Sequence, residues 1–323
     1  MIVMRIVLDT DPGVDDALAI LYLAAHLDEA ELVAVGSVHG NVPAPQAALN
    51  ALRVLELAGL GGVPVAVGAR RPLAQPLYTS EFVHGLDGLG GRAGPPPSRL
   101  PVPVSAAEQL VALARANPGE LTLIALGPLT NLALAVLLEP ELPALLRSVT
   151  AMAGATAVPG NITPYAEANA WHDPEAAAIV LDAGFDLTLV GLEVTESARA
   201  DADWLDRLAG LRTRRARYAN AILAHYVEFY TRVIGRRTCT PHDPLTVAVA
   251  LDPGLATHRE LPLGVELTGT HTRGQIVADR RRITTTAHIE STIDDTPRPV
   301  KVLRTVQSEV FLERLLEALA RPD

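Results

Sequence analysis

The stretch Arg5-Ile6-Val7-Leu8-Asp9-Thr10-Asp11-Pro12-Gly13-Val14-Asp15-Asp16 decides the reading of this chain. Arg5 to Leu8 is a short apolar run containing Ile6 and Val7, the composition of a buried strand. From Asp15 to Leu27 the apolar residues Leu18, Leu21, Tyr22 and Ala25 fall at helical spacing. Between strand and helix, four carboxylates fall within eight residues. Carboxylates packed this closely repel one another, and without solvent they need a proton or a cation. Hard cations such as Ca²⁺ and Mg²⁺ take oxygen ligands. Pro12 and Gly13 turn the chain sharply, so that Asp11 on one side and Asp15 and Asp16 on the other face one point. Helix capping by Asp15 and Asp16 explains one or two of the four carboxylates, not all.

Outward from this stretch, short apolar runs alternate with helical patterns. Strands are expected at Leu32 to Val38, Val63 to Val67, Leu121 to Leu126, Ser148 to Ala153 and Leu187 to Leu192. Helical patterns lie at Pro45 to Leu57, Ala106 to Ala116, Leu129 to Leu138 and Pro174 to Ala183. Such alternation predicts an α/β fold, a mostly parallel open sheet flanked by helices and Rossmann-like in layout. Residues 1–323 read as a single domain without internal repeats. The Pro- and Gly-rich segment Gly85 to Pro103 is expected to be a long loop, and such loops are commonly functional lids or disordered. A hairpin signal centred on Gly274, a strand at Val300 to Leu303 and a closing helix at Gln307 to Ala320 complete the chain.

Composition removes several function classes. Hydrophobic residues make up 49% of 323, enough for a sizeable core, and aromatics only 4%, so that core must consist mostly of Ala, Val, Leu and Ile. The net charge of −10 argues against a nucleic-acid partner, because such binding leans on Lys and Arg facing phosphates. The basic clusters Arg212 to Arg217 and Arg280 to Arg282 read as solvated faces. Lys301 is the only lysine, which excludes mechanisms that need one elsewhere. Cys239 is the only cysteine, so neither an internal disulfide nor a cysteine metal cage can form. Met1 to Leu8 is too short for a signal peptide, and Gly127, Pro128 and Asn131 break the most apolar stretch, Leu121 to Leu138. No membrane partner and a cytoplasmic location are expected.

In open parallel sheets, ligands bind beyond the carboxyl ends of the strands. After the first strand come Asp9, Asp11, Asp15 and Asp16; after the second, His39-Gly40-Asn41. After the Leu121 strand comes Gly127-Pro128-Leu129-Thr130-Asn131, and after the Ser148 strand a polar loop with Asn161, Glu167 and Asn169. Far along the chain, His242-Asp243-Pro244 follows a polar stretch; alone, Asp243 reads as a helix N-cap with Pro244 at the first helical position.

These motifs, in this order and over nearly the whole chain, resemble the inosine–uridine-preferring nucleoside hydrolase family. The Asp-x-Asp-Pro-Gly-x-Asp-Asp run is its most specific mark. The resemblance implies the fold of that family and Ca²⁺-dependent hydrolysis of the N-glycosidic bond of ribonucleosides to free base and ribose. It implies that Asp11 both binds Ca²⁺ and activates the attacking water as general base. Asp16 matches a bidentate Ca²⁺ ligand, Leu126 a ligand through its backbone carbonyl, and Asp243 the last protein ligand. Asp15, Asn41, Asn161, Glu167 and Asn169 match residues that hold the ribose hydroxyls, Met152 one packed near the sugar, and Asp9 a support behind the ligands. Members of the family are commonly homodimers or homotetramers.

The chemistry fits these residue types. Cleaving an N-glycosidic bond passes through a ribosyl oxocarbenium ion, whose charge carboxylates stabilise. A bound Ca²⁺ orients a water and the 2′- and 3′-hydroxyls. A deoxyribose would leave the hydroxyl-binding groups unpaired.

The leaving base needs a proton or a hydrogen bond, and His242 is the expected acid. His84, in a segment similar to a mobile family loop, is expected to contact the base. Tyr226 and Tyr230, four apart on the helical stretch Ala219 to Val233, share a face and are expected to do the same, with His225 and Phe229 as substitutes. Trp171 reads as core packing. Three other readings compete: a haloacid dehalogenase-like phosphatase, for which Lys301 lies too near the end; a non-catalytic nucleoside- or Ca²⁺-binding protein; and a hydrolase of another N-ribosyl compound.

Overall fold

The computed structural model describes residues 3–280 and 298–322. Ten strands form one sheet: β1 (Met4–Thr10), β2 (Ala30–Ser37), β3 (Val65–Val67), β4 (Val102–Ser105), β5 (Leu121–Ala125), β6 (Ser148–Met152), β7 (Leu187–Val190), β8 (Ala256–Val265), β9 (Ile276–Ala278) and β10 (Pro299–Val306). Their order is β4-β3-β2-β1-β5-β6-β7-β10-β8-β9. The first eight strands in that order run parallel, and β8 and β9 close the edge antiparallel.

The helices are α1 (Val14–Ala24), α2 (Ala44–Leu57), α3 (Glu81–His84), α4 (Ala106–Ala116), α5 (Thr130–Leu138), α6 (Leu142–Leu145), α7 (Ala168–His172), α8 (Pro174–Asp182), α9 (Leu192–Thr195), α10 (Ala202–Gly210), α11 (Arg214–Ile234), α12 (His242–Leu251) and α13 (Ser308–Ala320). They cover both faces of the sheet. Along β1, Ile6 and Leu8 join the core under α1, α2 and α12, whereas Val7 joins the core under α4, α5 and α8. That alternation is the two-residue period of a strand buried on both sides. The core is mostly Ala, Val, Leu and Ile, with Tyr22, Trp204, Tyr226 and Phe311 as its large buried aromatics.

Several expected boundaries shift. The first helix ends at Ala24 rather than Leu27, which is exposed where the chain turns to enter β2. The Gly85 to Pro103 loop ends earlier than expected, because Val102 and Pro103 belong to β4. Prolines are tolerated there because β4 is an edge strand with one unpaired side. The Gly274 hairpin is β8–β9: Gly274 sits in the left-handed region at φ 82° and its N–H donates to the Glu266 carbonyl at 2.7 Å. Of the first basic cluster, Arg212, Arg214 and Arg217 are exposed, but Arg215 is buried, because its position falls on the packed face of α11 with Ala219 and Ile222. Of the second, Arg281 and Arg282 lie outside the described residues. Among the described residues no helix is long and apolar enough to cross a membrane.

Candidate active site

The carboxyl ends of β1, β2, β5 and β6 converge on a cavity of about 320 Å³. β1 ends in Asp9 and Thr10, Asp11 follows it directly, and the first turn of α1 carries Asp15 and Asp16. β2 leads to His39, Gly40 and Asn41, β5 to Leu126 and β6 ends at Met152. The first turn of α12, packed against α1, carries His242 and Asp243. Asp243 therefore lies inside the helix; the residue at its N-cap is Pro241.

The carboxylates are all buried. Oxygens of Asp15, Asp16 and Asp243 lie within 4.8 Å of one another. Asp11 is not one of these three. Its Oδ2 accepts from the Asn41 N–H at 2.7 Å, and its Oδ1 is buried with no partner. Asp16 is pinned from several sides: Oδ2 accepts from the Gly13 N–H at 2.9 Å and from Asn41 Nδ2 at 3.0 Å, and Oδ1 from the Thr10 hydroxyl. Asp9 Oδ1 accepts from Asn131 Nδ2 at 2.7 Å, its Oδ2 is buried with no partner, and Asp9 does not line the cavity.

Burial, and then the field of Asp16, raises both Asp11 and Asp15, the latter to about 7. Burial followed by the fields of Asp15, Asp16 and Asp11 raises Asp243, and burial alone raises Asp9 to about 7. Like charges in a dry site take up protons unless a cation balances them. An all-oxygen donor set with one unpartnered buried oxygen beside it suits a hard divalent cation. Two glycines keep the space around Asp11 open: a Cβ on Gly127 would stand 2.6 Å from its Oδ1, and one on Gly40 would overlap Oδ2.

Around these groups lie the expected sugar-binding residues. Asp15, Asn41, Met152, Asn161, Glu167 and Asn169 line the cavity, as do the expected metal ligands Leu126 and Asp243, whereas Asp11 and Asp16 are not among its lining residues. Asn169 Nδ2 donates to the Leu126 carbonyl at 2.7 Å and the Met152 carbonyl at 3.0 Å. Glu167 is the N-cap of α7 and accepts from the N–H groups of Asn169, Gly154 and Ala170, so both its oxygens are already engaged. Asn161 Oδ1 accepts from the Ala168 N–H at 2.9 Å, which leaves its amide nitrogen without a protein partner among the described residues. His39, which does not line the cavity, closes a buried chain. Thr130 Oγ1 donates to Asp173 Oδ2 at 2.7 Å, so His39 Nε2–H must donate to Thr130 at 3.0 Å.

His84, Tyr226, Tyr230 and His242 line the cavity too. The Val14 N–H donates to His84 Nδ1 at 3.1 Å, which places the ring proton on Nε2. Burial lowers His84 to about 3 and His242 to about 4, so both rings are neutral near pH 7. Tyr226 Oη donates to the Thr240 carbonyl at 2.9 Å, and Tyr230 Oη meets His242 Nε2 at 2.9 Å. Burial raises both phenols, so each keeps its O–H.

The profile of the inosine-uridine preferring nucleoside hydrolases matches residues 6–313. The chain belongs to that family. It is thereby an enzyme of the N-glycosidase class, a nucleoside N-ribohydrolase. It is 38% identical over 323 residues to the inosine-uridine preferring nucleoside hydrolase of Crithidia fasciculata, covering 98% of each chain. It is 41% identical over 272 residues to probable uridine nucleosidase 2 of Arabidopsis thaliana, covering 84% of each. Among solved structures, a plant nucleoside hydrolase superposes with a TM-score of 0.93 at 34% identity, over 99% of both chains.

Some hydrolase cavity residues are not among those expected. Phe82, Phe229, Glu196 and Arg199 line it, of which only Phe229 was considered, as a substitute. Glu196 and Arg199 follow β7, so the carboxyl-end rule applied to one more strand finds them. His225, the other substitute, does not line the cavity. Trp171 is half-buried rather than core; it packs on Tyr78 at 5.2 Å and against the backbone of Gly274, outside the cavity.

Proposed function

We propose that this hydrolase cleaves the N-glycosidic bond of ribonucleosides, releasing ribose and free base, with Ca²⁺ as its metal. The observation that carries this reading is one cavity in which clustered buried carboxylates meet neutral imidazole and phenol groups. Asp15 and Asp243, whose oxygens cluster with those of Asp16, line it together with His84, His242, Tyr226 and Tyr230. Asp16, Asp243 and the Leu126 carbonyl would hold the ion together with Asp11, and Asp15, within the same oxygen cluster, faces the sugar. When bound, the ion supplies positive charge and Lewis acidity, which lets the carboxylates stay ionised and favours an ionised water.

Asp11 Oδ1 takes a proton from the attacking water. The water oxygen bonds to C1′ as the C1′–N bond breaks and its electron pair leaves with the base. The carboxylates facing the sugar offset the positive charge that grows on the ring. Asn41, Asn161, Glu167 and Asn169 orient the sugar hydroxyls, with Met152 packed beneath. With Glu167 fully engaged by backbone N–H groups, its part is to fix Asn169 as much as to touch the sugar. Tyr230 donates to His242 Nε2, which leaves His242 Nδ1–H to hydrogen-bond the leaving base, or to pass it a proton as Nε2 takes up the Tyr230 O–H proton. His84 Nε2–H and the Tyr226 ring contact the base.

The reading carries with it a cytoplasmic enzyme that self-associates as a homodimer or homotetramer. The test is ribose release from inosine, uridine, cytidine and adenosine, with Ca²⁺ supplied and with a chelator. Release that stops on chelation and returns with Ca²⁺ is the expected result. Silence on all four nucleosides in the presence of Ca²⁺ overturns it.

A further inference from the structure

Glu196 and Arg199 form an ion pair on the cavity wall and have no part in the mechanism above. They stand just after α9, and the segment that carries them is fixed. Ala200, next in the chain, exchanges two backbone hydrogen bonds with Cys239, at 2.9 and 3.1 Å. Thr238 Oγ1 adds a third to the Ala200 carbonyl at 2.7 Å. The partner segment runs directly into His242, so the pair and His242 are held in one frame. Both residues line the cavity together with Tyr230 and His242, and their charges are felt at His242.

The pair is also incomplete. Among the described residues, Glu196 is the only hydrogen-bond partner of Arg199, through one terminal nitrogen, and Arg199 Nε is buried with no acceptor. An ion pair at an open surface contributes little. One that faces a closing cavity is different: a ligand that covers it strips its water, and only a ligand with matching donors and acceptors repays that loss.

We propose that Glu196 and Arg199 read the hydrogen-bonding edge of the leaving base. The guanidinium donates to a ring carbonyl, and the carboxylate accepts an N–H of the same base. This rests on the reading of the substrate as a nucleoside and gives a residue basis for the preference for carbonyl-bearing bases, hypoxanthine and uracil, that the name of the family describes. Adenine has no carbonyl and leaves the guanidinium unpaired, so adenosine is the poorer substrate.

The test compares wild type, Arg199→Met and Glu196→Gln on inosine, uridine, adenosine and 4-nitrophenyl β-D-ribofuranoside, whose leaving group has no base edge. Arg199→Met is expected to lower kcat/KM on inosine and uridine by roughly 10- to 100-fold, the range for a lost hydrogen bond to a charged group. On adenosine and the aryl riboside the change stays within about threefold, and Glu196→Gln loses less, with the same pattern. An equal fall on all four substrates marks a merely structural pair and overturns the proposal, as does unchanged turnover of inosine and uridine. A wild-type enzyme that cleaves the aryl riboside but no nucleoside overturns the substrate reading itself, and the proposal with it.

Discussion

The backbone N–H of Asn41 donates to Asp11 Oδ2 at 2.7 Å, while Asp11 Oδ1 on the same carboxylate is buried without a protein partner. One oxygen is fixed so that the other is presented. Asp11→Asn keeps the shape but not the basicity, and ribose release is expected to fall by about 10²- to 10⁴-fold. Turnover near that of wild type would show that another group takes the proton.

Removing the metal should separate charge from packing. Without a cation, the oxygens of Asp15, Asp16 and Asp243 crowd within 4.8 Å. Calcium at a hundred times its Kd should stabilise the fold by about 2.7 kcal/mol, read as a rise in Tm that a chelator reverses. Asp243→Asn should lose the calcium-dependent rise and lose little stability in metal-free buffer, since it relieves repulsion. A calcium shift that survives both this change and Asp16→Asn moves the metal elsewhere.

Gly127 touches the chemistry only by what it lacks. A Cβ there would stand 2.6 Å from Asp11 Oδ1 and 2.8 Å from the Val38 side chain. Gly127→Ala should displace the Asp11 carboxylate and reduce kcat by about 10²-fold or more, the scale of a 1 Å misplacement, with the protein still folded. Normal kcat in this variant would mean that Asp11 tolerates movement.

Tyr230 Oη and His242 Nε2, 2.9 Å apart, couple the phenol to the proposed donor. Tyr230→Phe should lower kcat on nucleosides by about three- to tenfold, the worth of one neutral hydrogen bond. Hydrolysis of 4-nitrophenyl riboside, which needs no proton on its leaving group, should hold. Equal losses on both substrates would make Tyr230 a packing residue.

His39 sets a pH dependence of stability. Burial, followed by the field of His172, lowers its pKa to about 4 from 6.5. The unfolded chain then binds more protons than the folded one between these values, so stability falls as pH drops from about 6.5 to about 4 and is level above that window for this group. Denaturant unfolding at several pH values should show a shallower fall in His39→Gln than in wild type. An identical slope would show that His39 titrates normally.

Most of the architecture is legible in the sequence because β1, β5 and β6 are buried on both faces and so read as short, largely apolar runs. The placement of Asp11 just beyond β1, Asp16 in the first turn of α1 and Asn41 beyond β2 follows from the same alternation. Other features carry no local mark. Pro101 and Pro103 argue against a strand at β4, and only its edge position reconciles them. The engagement of Glu167 by three backbone N–H groups depends on the path of a loop, which periodicity does not encode. Glu196 and Arg199 follow β7 and so fall within the carboxyl-end rule, but the bridge from their neighbour Ala200 to Cys239 joins distant segments that no spacing rule anticipates.

Asp11 and Asp243 lie more than two hundred residues apart in the chain, yet α1 and α12 pack side by side. That distance orders events in time. A growing chain that has emerged only as far as β7 has seven of its eight parallel strands and most of the sugar-facing groups, but no Asp243. Contacts this remote in sequence form slowly. Metal affinity therefore arrives as a late signal of assembly. Calcium added during refolding should leave the early steps untouched and act only once α12 has docked, trapping the finished molecule rather than guiding the unfinished one.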